Sequence, residues 1–103
     1  MVQAKDLEKL IYRLIGLIHR LDKINPLLIR RRECSSVRRA LEEAKEASAN
    51  RVLGQMRRLE RQRVKGNTTI SDLVKQTISF EKKFQTMIQD KLEQLGKREQ
   101  DPT

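Results

Sequence analysis

Leucine and isoleucine recur along the first quarter of the chain at steps of three and four: Leu7, Leu10, Ile11, Leu14, Leu17, Ile18, Leu21 and Ile24. An α-helix turns by about 100° per residue, so this spacing gathers the side chains on one face and predicts a helix over 4–24. Ile15 widens the face to roughly half the cylinder. A narrow coiled-coil seam needs less, so this helix is expected to touch two neighbours. Lys9, Tyr12, Arg13, Gly16, His19, Arg20 and Lys23 take the opposite face.

Asn25-Pro26 breaks the pattern. Proline has no amide hydrogen and pushes the residue before it out of helical angles, so a turn or sharp kink is expected. Leu27, Leu28 and Ile29 form a short apolar patch, read as a turn that plugs one end of a bundle or as the start of the next helix. A second helix is expected over 36–64, or from an earlier start, with Ser35 and Ser36 as N-cap candidates. Its inward stripe reads Val37, Leu41, Ala44, Ser48, Val52, Met56 and Leu59, and is poor in bulk. Gly54 costs it about 1 kcal/mol relative to alanine.

Gly66-Asn67 is a helix stop. Thr69 with Asp72 matches a capping box that has Asp in place of Glu. The third helix is expected over 70–95, with the stripe Ile70, Leu73, Val74, Thr77, Phe80, Phe84, Met87, Ile88, Leu92 and Leu95. Gly96 is expected to end it and 97–103 to fray. The expected fold is therefore all-α: a three-helix antiparallel, up-down-up bundle or coiled coil, one domain over 1–96. The rival is a long rod, extended through Pro26, that pairs with a second chain.

Composition supports long helices over a wide core. Of 103 residues, 37% are hydrophobic and 36% charged, and the only aromatic side chains are Tyr12, Phe80 and Phe84. Cys34 is the sole cysteine, which rules out an internal disulfide and gives no support for an oxidising compartment. No secretory signal is visible, and the most apolar stretch, 7–29, is interrupted by six charged residues. An intracellular, cytoplasmic protein is expected, or a nuclear one in a eukaryote.

Nothing in the chain has the pattern of a catalytic constellation. One histidine and one cysteine cannot build a Cys/His metal cage, and His19 with Asp22 is an ordinary i,i+3 helix pair. The four glycines are isolated, so no phosphate-cradling loop is present. The expectation is a non-enzymatic protein without cofactor, metal or small-molecule substrate.

Charge changes the picture most. The net charge of +9 belongs to the middle: residues 26–66 carry twelve Lys/Arg against five Asp/Glu, whereas residues 67–103 carry six of each. Arg30, Arg31, Arg32, Arg38 and Arg39 cluster at the start of the second helix; Arg57, Arg58, Arg61, Arg63 and Lys65 cluster at its end. Guanidinium forks suit phosphate or carboxylate, so these ten residues are the candidate anion or partner site. A basic last turn also complements the helix dipole; a basic first turn opposes it.

The leading expectation is a helical protein-interaction module, an adaptor or a subunit of a larger assembly, with a protein partner or self-association. Leu14, Leu17, Leu21, Phe80 and Phe84 are its core or interface anchors. The alternative is a basic helical module that binds nucleic acid through backbone phosphates. A weaker alternative is membrane-surface association through the amphipathic first helix.

Overall fold

The three periodic segments are helical, and they fold back on one another. The computed structural model describes residues 4–66 and 68–100, without the side chains of 63–65. Among the described residues are α1 (Ala4–Asp22), α2 (Cys34–Lys65) and α3 (Thr68–Gln100), two 3₁₀ turns, and no strand. The protein is an all-α three-helix bundle, 57 × 19 × 17 Å.

α3 is the central element: α1 and α2 pack along it more closely than on each other. Leu7, near the start of α1, packs with Ile70 and Val74 near the start of α3. At the other end Lys91 Nζ donates to the Ile24 carbonyl (2.6 Å), so α1 and α3 run parallel. α2 runs antiparallel to α3, with Arg38 beside Glu99, Lys45 Nζ donating to Gln89 Oε1 (2.6 Å), and Ser48 beside Glu81. The order is up, down, up.

Two apolar clusters hold the rods together. The larger joins Leu21, Cys34, Leu41, Phe84, Ile88, Leu92 and Leu95, with Leu17, Ile18, Ile29, Val37, Ala44 and Met87 packed against it. The smaller joins Leu7, Ile70 and Val74. On α3 the buried positions follow a heptad: Val74, Glu81, Ile88 and Leu95, seven residues apart, are all 0% exposed. A step of seven returns to the same face of a slightly supercoiled helix, which keeps one seam turned inward along the whole rod. α1 repeats it with Leu7, Leu14 and Leu21.

Several ends differ from the sequence expectation. α1 stops at Asp22, two residues early, where the amides of Lys23 and Ile24 bond to the carbonyls of Arg20 and Leu21 in tighter turns. Asn25 then caps a 3₁₀ turn over Pro26–Leu28 through a bond from Leu27 N to its Oδ1 (3.1 Å). Pro26 is buried and Leu28 is 80% exposed, so the proline and Ile29 plug the bundle while Leu27 and Leu28 face out. A second 3₁₀ turn, Arg31–Glu33, runs directly into α2 at Cys34, which places Ser35 and Ser36 inside the first turn instead of at the N-cap.

Gly66 has φ +71°, the left-handed angle expected of a helix-ending glycine. Asn67 lies outside the described residues. α3 begins at Thr68, so Thr69 is within the helix and not its cap. The helix also continues through Gly96 to Gln100 in place of ending at 96. The extension is held: Arg98 Nε donates to the Ile29 carbonyl (2.8 Å), and Arg38 grips Glu99. Arg38 Nη2 lies 3.7 Å from where a Gly96 Cβ would be, so this glycine sits beneath the guanidinium.

Candidate interaction surface

Between the two apolar clusters the seam turns polar. The Glu81 carboxylate is fully buried. Arg51 grips it with both arms of its guanidinium, Nε to Oε2 (2.6 Å) and Nη2 to Oε1 (3.0 Å). Ser48 Oγ donates to Oε1 (3.0 Å) and itself accepts from Gln85 Nε2 (3.2 Å). Thr77, equally buried, donates to the Leu73 carbonyl (2.9 Å). The apolar stripe expected from the sequence runs through Phe80 and omits Glu81, and the structure buries Glu81 instead. Phe80 is only half-buried and belongs to neither cluster. The signal was present: the alternation 70, 74, 77, 81, 84, 88 passes through 81 and skips 80. On α2 Gln55 is buried in place of Met56, which is 45% exposed. Leu14, Leu21 and Phe84 are buried, and Leu17 packs against the larger cluster at partial exposure.

The first arginine group has a structural role. Arg31 Nη2 donates to the Glu99 carbonyl (3.3 Å). Arg38 bonds the Glu99 carboxylate through Nε (3.0 Å) and Nη2, with Glu42 also close at 3.9 Å. The hydrogen bond to Glu99 raises the Arg38 pKa further, so this charge is fixed at any working pH. Because α2 is antiparallel to α3, the basic start of α2 lies beside the negative dipole end of α3. The charges that oppose their own helix complement its neighbour. Arg30, Arg32 and Arg39 remain exposed around this clamp.

The second group is differently placed. Arg51, Arg57, Arg58 and Arg61 line a concavity of about 340 Å³ with Gly54 and Gln55. Among the described residues Arg57, Arg58 and Arg61 make no ion pair. The side chains of Arg63 and Lys65 lie outside the described residues. The groove between α2 and α3 offers no comparable field, because Arg38 and Lys45 there face Glu42, Glu46 and Glu93.

A third feature is apolar. Ile24 (39% exposed), Leu27 (50%) and Leu28 (80%) crowd the 3₁₀ turn between α1 and α2. Ile24 and Leu27 line a shallow hollow with Asn25 and Gln94, rimmed by Asp22, Lys23, Lys91 and Lys97. On α1 Tyr12 is 75% exposed. Cys34 is buried, its Sγ 3.6 Å from the Arg30 carbonyl, so it packs as a small apolar group. No helix among the described residues is long and apolar enough to cross a membrane. No protein-family model, curated protein or solved structure matches the chain.

Proposed function

We propose that the protein is a non-enzymatic helical interaction module, an adaptor or subunit of a larger assembly, that docks through the apolar knuckle on its Pro26 turn. The observation that carries this reading is the exposure of Leu27 and Leu28 on a turn whose neighbours, Pro26 and Ile29, are packed down. Scattered apolar side chains are ordinary on a surface; three within five residues, on a rigid turn, form a patch. The rim is mixed in charge, with Asp22 among Lys23, Lys91 and Lys97, and Lys91 is turned in to the Asp22 and Ile24 carbonyls.

A second copy of this chain is the partner at hand. Like charge opposes that pairing at low salt, and screening removes the opposition. Sedimentation velocity on the wild type and on Leu27→Ser/Leu28→Ser tests the reading. The wild type is expected to self-associate as salt is raised, and the variant to remain a monomer with unchanged helix content. Identical behaviour of the two proteins at every salt concentration contradicts the knuckle as a contact surface.

A further inference from the structure

We infer that the arginine concavity on α2, floored by Gly54 and Gln55 and walled by Arg51, Arg57, Arg58 and Arg61, binds the phosphodiester backbone of a nucleic acid. This site is at the other end of the molecule from the knuckle and does not depend on the protein-partner reading. No carboxylate lines the concavity. One arginine, Arg51, is partly committed to Glu81, and the other three are available. Arg57 and Arg61 are one helical turn apart, about 6 Å along the axis, so a group of phosphates can be gripped from one side of the helix. Each guanidinium offers a planar fork that matches two phosphate oxygens.

The floor supports the same conclusion. At Gly54 the space a Cβ would occupy has no atom within 4 Å, so an anion can approach the helix closely. Gln55 is only 5% exposed, yet its Oε1 has no hydrogen-bond partner. A buried polar atom left unpaired is unfavourable. This acceptor calls for a donor, such as a bridging water or a ligand hydroxyl; a phosphate oxygen, itself an acceptor, is met by the guanidinium groups instead. The first arginine group differs in arrangement: Arg31 and Arg38 are held by Glu99, and the exposed Arg30, Arg32 and Arg39 do not line this concavity.

Nucleic acid fits better than a lipid surface. A membrane site needs an apolar patch beside the cations; no apolar side chain lines this concavity, and Leu53, 56% exposed one turn before Arg57, is a single apolar neighbour on that flank and not a patch. The exposed Met56, two residues from Gly54, projects from roughly the opposite side of α2. Contacts made by guanidinium groups to phosphate carry no base information, so binding is expected to be indifferent to sequence.

Fluorescence anisotropy of a labelled oligothymidine and a labelled duplex, titrated with the full chain across about 50–200 mM salt, tests the site. Affinity is expected to fall steeply with salt for the wild type. Replacing Arg57, Arg58 and Arg61 by alanine is expected to flatten the log–log slope by about 2–3, since each phosphate neutralised contributes about 0.7–0.9. Gly54→Glu, which puts a carboxylate into open space on the floor, is expected to abolish binding with all arginines present. Replacing Arg30, Arg31 and Arg32 is the control and is expected to change the slope less. Circular dichroism establishes that each variant is folded. An absence of oligonucleotide binding, equal losses in the two triple variants, or tighter binding to phosphatidylserine vesicles than to either oligonucleotide overturns the proposal.

Discussion

A carboxylate set into a helix seam is tolerated only when its charge is met, and at Glu81 the meeting is complete: two arms of Arg51 and the Ser48 hydroxyl. The two partners are unequal. Arg51 keeps about a third of its side chain in water, whereas Glu81 has none. Removing the arginine leaves a buried, uncompensated charge, which costs about 3–5 kcal/mol. Removing the carboxylate leaves an arginine that can swing into solvent. Urea denaturation is therefore expected to show Arg51→Met losing about 3–5 kcal/mol, Glu81→Leu losing much less, and the double variant recovering most of the loss. Equal losses in the two single variants contradict this asymmetry. Residue type alone assigns Glu81 to the solvent face, because a charged residue is normally exposed. Only the three- and four-residue spacing of the buried row, Val74, Thr77, Phe84 and Ile88, marks 81 as inward. Arg51 and Ser48 give it partners on α2 that lie far away in the chain.

At the scale of elements, the interiors of the three helices were legible from periodicity and their ends were not. Local signals for stops, at Gly66 and Gly96, look alike in the sequence. They differ in what surrounds them. Gly66 takes a left-handed angle that other residues adopt at a cost, whereas Gly96 continues α3 because the start of α2 and the Ile29 carbonyl grip the residues that follow. Gly54 is a third case, helical with open space around it. Thermal melts are expected to separate the first from the third. Gly54→Ala stabilises by about 1 kcal/mol through helix propensity, and Gly66→Ala destabilises by about 1 kcal/mol through its positive φ. Stabilisation by both would show that Gly66 does not end α2 in the left-handed form. The same long-range pairing explains the first arginine group. From its own helix it is an unfavourable N-terminal cluster. In the bundle it lies against the C-terminal end of α3.

For the whole molecule, the up-down-up topology separates two surfaces of different physical character. The apolar knuckle lies where α1 turns toward α2, near the end of α3. The arginine concavity lies far along α2, and Arg57 is more than twenty residues, or roughly 35 Å, from the start of that helix. Charge composition alone located both arginine groups. It could not rank them, because the clamp by Glu99 and the unpaired floor at Gln55 depend on how distant segments pack. The exposed leucines were visible as an apolar patch, but their direction depended on which residue of the turn was buried, and that is Pro26.

The two proposed roles predict opposite responses to salt, since apolar association between like-charged copies strengthens on screening and phosphate binding weakens. Solution mass by light scattering, at low and high salt and with and without a generic oligonucleotide, tests this pair of claims together. The mass is expected to rise above that of the 12.1 kDa monomer with salt alone, and to rise with oligonucleotide only at low salt. A monomer of unchanged mass under all four conditions would contradict the account.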